Sequence, residues 1–142
     1  MNKKLLMQVA EYIVRVPESF NQGTYLSITL LSPGICHEGV AIPVCKTEQC
    51  IAGTGVLLHD PLNFFRIMGQ LMRQGKDFRG SSILEAAIDA FKLTRQQATR
   101  LFSGACDWPE PYRTQYLEGS KAEQAKVAAR RIKRFIQTEG RV

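Results

Sequence analysis

The sequence predicts a mainly α-helical protein, a compact helical domain of five to seven helices with a small β-hairpin or a long ordered loop near residues 24–45. Three observations support this prediction. Helix-capping patterns recur along the chain, apolar residues follow them at helical spacing, and β-prone runs are confined to one region. Because 142 residues are enough to bury one hydrophobic core, we expect residues 1–142 to form a single domain.

The first predicted helix begins after Asn2, a residue type that commonly caps helices, and reaches about Val16. Pro17 marks its end, since proline cannot continue a helix. The apolar residues before it recur every three or four positions, which predicts one buried face. That face contains Leu5, Leu6, Val9, Ile13 and Val16.

A β-prone region follows. Residues 25–31 are rich in residues that favour strands, residues 32–34 form a turn signal, and residues 40–44 are a second short run. Pro43 restricts that second run to the edge of a sheet, because proline has no N–H to donate to a neighbouring strand. We therefore expect a hairpin or an ordered loop here.

Helical signals return after this region. We expect a helix that starts at Thr47 or nearby and runs through Leu58. Asp60 and Pro61 are a typical N-cap and first helical residue, and they predict a further helix that closes at Gly75.

The second half of the chain contains three capping-box patterns, in which a hydroxyl residue and the acidic or amide residue three positions later cap a helix reciprocally. They predict helices that reach about Phe91, Phe102 and Thr138. The patterns are Ser82-x-x-Glu85, Thr94-x-x-Gln97 and Ser120-x-x-Glu123. Asp107 is expected to open a short helix that Gly119 ends.

Composition narrows the class of protein. No apolar run approaches the ~18 residues of a membrane span, and the N-terminal residues turn polar too early for a signal peptide, so we expect a cytoplasmic protein that does not engage membranes. Four cysteines are few for a disulfide scaffold, so we expect them as thiols, metal ligands or redox groups. The net charge of +6 favours an anionic partner.

Five segments in a fixed order support a resemblance to a known family. They are Pro17-Glu-Ser-Phe-Asn-Gln-Gly-Thr-Tyr25, Cys45-x-Thr-x-x-Cys50-Ile-Ala-Gly53, Leu93-Thr-x-x-Gln-Ala-x-x-Leu-Phe102, Trp108-Pro-Glu-Pro-Tyr112 and Ala125-x-Val-Ala-Ala-x-x-Ile-x-x-Phe-Ile-x-Thr-x-Gly140. Together they resemble an uncharacterised family of small bacterial and phage proteins. That family has no assigned activity, so the resemblance implies no catalytic residues. This chain departs from it at Thr54, where an aromatic residue is usual, and in residues 29–44, which are longer than usual.

The two thiols of Cys45 and Cys50 allow three interpretations. With Cys36 and His37 they supply four ligands of the type that zinc prefers, but the four-residue spacing lacks a second closely spaced pair, so no metal and no cofactor is expected. Alternatively, Cys50 lies at a helix N-terminus, where the helix dipole lowers a thiol pKa and favours redox or nucleophilic chemistry. The third interpretation is that both thiols are small packing residues, which is the commoner role of cysteine.

A basic ridge on the last helix is the other candidate site. Lys126, Arg130, Lys133 and Arg134 are expected to face outward, opposite an apolar stripe on the same helix. That stripe contains Ala125, Ala128, Ala129, Ile132, Phe135 and Ile136. Such a ridge is able to bind phosphates, although it is equally typical of a solvated helix face.

Two aromatic residues beside Pro109 and Pro111 are candidate anchors. Trp108 and Tyr112 are suited to stacking on a base or anchoring a peptide, or else to closing the edge of the core.

The sequence has no P-loop, dinucleotide-binding glycine pattern, nucleophile elbow or His-Glu-x-x-His motif, so it does not indicate a familiar enzyme class. We therefore expect a non-enzymatic binding protein that engages a protein partner. Two alternatives remain open: a nucleic-acid-binding protein that uses the basic last helix, and a small redox, thiol or zinc protein centred on Cys45 and Cys50.

Overall fold

Seven α-helices and one two-stranded sheet make up the part of the chain that the structure describes. A computed structural model describes the backbone of residues 1–22, 26–32, 44–74 and 81–141, and the side chains of residues 1–22, 49–70 and 83–141. The helices are α1 (Lys3–Arg15), α2 (Ile51–His59), α3 (Pro61–Gln74), α4 (Ser81–Phe91), α5 (Arg95–Phe102), α6 (Tyr112–Leu117) and α7 (Lys121–Gln137), and the strands are β1 (Leu26–Ser32) and β2 (Val44–Gln49). The protein is mainly α-helical, as its sequence predicts.

Side-chain caps begin α1 and α3 where the sequence predicts them. Asn2 accepts the backbone N–H of Leu5 through Oδ1 at 3.1 Å, and Asp60 accepts the N–H of Asn63 at 3.0 Å. Each cap satisfies an N–H group that has no partner inside the helix.

Capping boxes begin α5 and α7. Thr94 and Gln97 cap each other's backbone N–H groups, and Ser120 and Glu123 do the same one element later. Both predicted boxes are confirmed. The third is wrong in position, because α4 begins at Ser81 and Ser82 therefore lies inside the helix.

The helix predicted from Asp107 is also corrected. Residues 105–107 form a 3₁₀ turn, and α6 begins only at Tyr112. Two prolines explain the delay: Pro109 and Pro111 remove backbone donors and push the residues before them out of helical geometry. Trp108, immediately before the first proline, has extended backbone angles.

The strands form an antiparallel pair in which Leu26 lies opposite Gln49, with an irregularity between Leu30 and Ser32. The predicted hairpin is thus present, but its second strand begins at Val44, and residues 40–43 lie outside the described residues. Thr47 is part of this strand, opposite Ile28, so the helix predicted to start near it begins at Ile51 instead. The secondary structure around Thr47 is decided by pairing with β1, a segment distant in the sequence. Helix propensity alone cannot detect such pairing.

Helices α1, α2, α4 and α7 enclose one hydrophobic core, with α7 packed along α1 and α6, and α2 packed against α4 and α1. Gly55 shows how closely α2 approaches α4: a Cβ atom at this position would lie 2.1 Å from Cζ of Phe91. Glycine at position 55 is therefore a packing requirement. Among the helices described here, none has the length and apolarity needed to cross a bilayer.

Candidate binding groove

The predicted basic ridge lies on the surface. Lys126, Arg130, Lys133 and Arg134 are all exposed on α7. They face outward because the opposite side of the helix is buried against α1 and α6. The buried side contains Ala125, Val127, Ala128, Ala129, Arg131, Ile132 and Phe135.

Three of these basic residues line a groove with a volume of about 610 Å³. The groove lies over α7, between the end of α1 and the end of α6. Its charged wall is formed by Lys126, Arg130, Lys133, Glu118 and Glu123, and its remaining lining by Val14, Gln115, Gly119, Val127 and Ala129. Arg134 is exposed but does not line the groove.

One acidic residue of the groove is already engaged. The carboxylate of Glu123 accepts hydrogen bonds from the hydroxyl and the backbone N–H of Ser120. These bonds, with the positive charge of Lys126, hold the pKa of Glu123 below its usual value. Glu123 is therefore ionised at neutral pH, and Lys126, three residues further along α7, partly offsets its charge.

The other charges of the groove are not compensated in this way. Arg130 donates through Nη2 to the neutral Oε1 of Gln115 at 2.7 Å. Within the described residues, the ion pairs are Lys3–Glu139, Arg95–Glu85 and Arg113–Glu110, so Glu118, Arg130 and Lys133 belong to none of them.

These uncompensated charges are separated by sign along the groove. Glu118 follows the last turn of α6, beside the turn into α7, whereas Arg130 and Lys133 lie further along α7. The contact between Gln115 and Arg130 shows that α6 folds back along α7. One end of the groove is therefore negative and the other positive.

Trp108 is not a surface anchor, which corrects one of its predicted roles. Its side chain is only 2% exposed, and its Nε1 donates to the carbonyl of Ser103 at 3.1 Å. The ring meets the ring of Tyr116 edge-on, with centroids 5.2 Å apart. Tyr112, at the start of α6, is half-buried and packs against the same core. Since the donor of the indole is satisfied inside the protein, Trp108 acts as a packing residue.

Arg131 was not predicted as a notable residue, yet it is buried beside Trp108. It is 3% exposed, and its guanidinium donates to the carbonyl of Arg100 in the last turn of α5. Burial lowers the pKa of Arg131 to about 10, which leaves it charged at neutral pH. The signal for this residue was its spacing: it follows the buried Val127 by four positions and Ala128 by three, so it falls on the inward face.

Gln22 connects several elements through buried hydrogen bonds. Its side chain accepts the N–H of Ile51 at the start of α2 and donates to the carbonyls of Phe102 and Ser103, while its backbone N–H donates to the hydroxyl of Tyr116 at 3.0 Å. Three of the five segments that support the family resemblance contribute residues to this buried network. In this network those residues satisfy the hydrogen-bonding groups of helix ends.

The two cysteines of the motif lie on different elements, and only the side chain of Cys50 is among those described. Cys45 lies in β2, and Cys50 is the buried N-cap of α2. Burial raises the pKa of the Cys50 thiol to about 11, outweighing the opposing hydrogen bonds from the backbone of Gly53 and Ala52. This direction is opposite to the lowering that the redox or nucleophilic interpretation of Cys50 requires.

The candidate metal ligands Cys36 and His37 lie outside the described residues. Within the ranges that the structure covers, no three His, Cys, Asp or Glu residues cluster as a metal site would require.

Comparisons with protein-family models, with curated proteins and with solved structures find no match to this chain.

Proposed function

We propose that this chain is a cytoplasmic, non-enzymatic binding protein without a cofactor, and that it engages a protein partner through the groove over α7. The observation that supports this proposal is the charge pattern of the groove, in which Glu118, Arg130 and Lys133 point into one concavity without ion-pair partners among the described residues. Uncompensated charges at a surface cleft favour recognition of a complementary surface.

The same pattern weighs against nucleic acid as the partner. A nucleic-acid backbone carries charge of one sign along its whole length. Following the groove, it would meet the carboxylate of Glu118 as well as the cations of α7. The buried position of Trp108 also removes a ring that was available in principle for stacking on bases.

A photo-crosslinking experiment tests the proposal. A photoreactive amino acid at position 14, on the wall of the groove, is expected to capture a discrete protein from cells. Capture is expected to be lost in the double variant Arg130→Gln, Lys133→Gln and kept in Lys4→Gln, Arg66→Gln, which has the same net charge but changes exposed cations on α1 and α3.

Oligonucleotide binding supplies the opposing outcome. A submicromolar complex with DNA or RNA at physiological salt, abolished by Arg130→Gln, Lys133→Gln and by Arg130→Gln, Arg134→Gln, would contradict a protein partner. In that case the salt dependence is expected to fall by about one log-log unit for each phosphate that the variant no longer binds.

A further inference from the structure

We infer that the groove over α7 takes a peptide segment of mixed charge, with carboxylates opposite Arg130 and Lys133 and a cation opposite Glu118. This inference rests on the proposed function and specifies the chemistry of the partner. It follows from the arrangement of charge in the groove, which is negative at one end and positive at the other. A bound segment gains most when a charge of opposite sign faces each end.

A segment with charge of one sign fits less well. An all-acidic segment gains at Arg130 and Lys133 but is repelled at Glu118, and an all-basic segment has the reverse problem. Glu123 and Lys126 lie within one turn of each other on α7, so their opposite charges partly offset each other toward a bound segment. The three uncompensated charges therefore determine the preference.

The dimensions of the groove set the length of the segment. Ten residues of α7 separate Glu123 from Lys133, which corresponds to about 15 Å at 1.5 Å per residue. That distance is covered by about ten residues of a helix or by four to five residues of an extended chain. Val14, which is 41% exposed, also lines the groove and offers an apolar surface to a bound side chain.

The test is a titration of isotope-labelled protein, followed by NMR, with four probes of matched length. Three are synthetic peptides: one with a glutamate block and a lysine block separated by alanine and leucine, one all-acidic and one all-basic. The fourth is a single-stranded oligonucleotide. We expect the mixed peptide to bind most tightly and to shift the signals of Val14, Gln115 and Lys133.

A charge-reversal variant separates recognition from general attraction. The variant Glu118→Lys is expected to change the preference among the peptides. The mixed peptide should lose, and the all-acidic peptide gain, about threefold to fivefold in affinity, because this is the effect of one exposed charge pair. Glu11→Lys, an exposed change on α1 with the same change in net charge, is expected to leave the order of the peptides unchanged.

Each contrary outcome has its own meaning. If the all-acidic or the all-basic peptide binds the unmodified groove most tightly, or if Glu118→Lys behaves like Glu11→Lys, the inference fails while a protein partner remains supported. If the oligonucleotide binds most tightly at the groove, both the inference and the proposed function fail. If none of the probes shifts the groove signals, the inference fails, and the crosslinking experiment decides the proposed function separately.

Discussion

The guanidinium carbon of Arg131 lies 5.1 Å from the centroid of the Trp108 ring. This cation–π contact joins the buried face of α7 to the segment that leads into α6. It compensates part of the cost of burying a charge, and the hydrogen bond from Arg131 to the carbonyl of Arg100 extends the connection to the end of α5. Three elements are thus tied together by one side chain.

Replacing Arg131 with Gln is expected to lower the free energy of unfolding by about 2 kcal/mol, because the variant has neither the cation–π interaction nor the charged hydrogen bond. The neighbouring exposed change Arg130→Gln is expected to stay within about 0.5 kcal/mol of the unmodified protein. Urea unfolding of the two variants measures the difference. Equal stabilities would show that the buried guanidinium contributes nothing beyond its solvated neighbour.

Gly55 of α2 and Gly69 of α3 provide a matched pair of substitution sites, one crowded and one open. Gly55→Ala places a methyl group into the ring of Phe91, and we expect a loss of about 1–3 kcal/mol from overpacking. Gly69→Ala meets nothing within 4 Å, so it is expected to raise stability by up to about 1 kcal/mol, since alanine is the better helix former. Thermal unfolding of both variants checks these opposite signs. A stabilising Gly55→Ala would disprove the close approach of α2 and α4.

The thiol of Cys50 predicts a loss of stability in alkali. Burial raises its pKa from 9.0 to about 11, so the folded protein favours the protonated thiol. The folded state then binds more protons than the unfolded state between these values, and stability is complete below about pH 9 and falls as the pH rises toward 11. At 1.36 kcal/mol per pKa unit, the loss is about 2–3 kcal/mol.

This loss is measured by comparing unfolding at pH 8 and at higher pH with that of a variant lacking the thiol. Cys50→Ala should lack this component of the pH dependence, whereas Cys106→Ala should retain it, because Cys106 is exposed. A steeper alkaline loss in Cys50→Ala than in the unmodified protein would contradict the prediction.

Reactivity toward an alkylating reagent at neutral pH should distinguish the same two thiols. Cys106 is exposed and is expected to react first, while the protonated, buried Cys50 should react only when the protein opens. Mass spectrometry of peptides after a short exposure identifies the modified residue. Rapid modification of Cys50 in the folded protein would restore the interpretation of this thiol as a nucleophile.

Gln22→Leu is expected to cost about 2–4 kcal/mol, because it removes the side-chain partners of Ile51, Phe102 and Ser103 at buried helix ends. Gln8→Leu, an exposed change on α1, is the control and should lie near zero. Urea unfolding measures both. If the two variants are equally stable, the hydrogen bonds of Gln22 do not hold these helix ends.

Much of the helical content was predictable because its signals are local. The cap of Asn2 and the capping boxes at Thr94 and Ser120 involve residues only three positions apart, so the sequence displays them directly. The outward position of Lys126 and Arg130 followed from helical periodicity alone. The errors occurred where distant segments meet, as at Thr47, which pairs with β1.

The sequence by itself determined the mainly helical class, the caps that begin four of the helices and the exposed face of α7, since these depend on interactions within one or two turns. Only the tertiary structure decided the burial of Trp108 and Arg131, the raised pKa of Cys50 and the meeting of Glu118 with Arg130 and Lys133 in one groove. Each of these depends on how α1, α2, α5, α6 and α7 pack against their neighbours. Desolvation and the pairing of charges are properties of that packing, and neighbouring residues in the chain do not specify them.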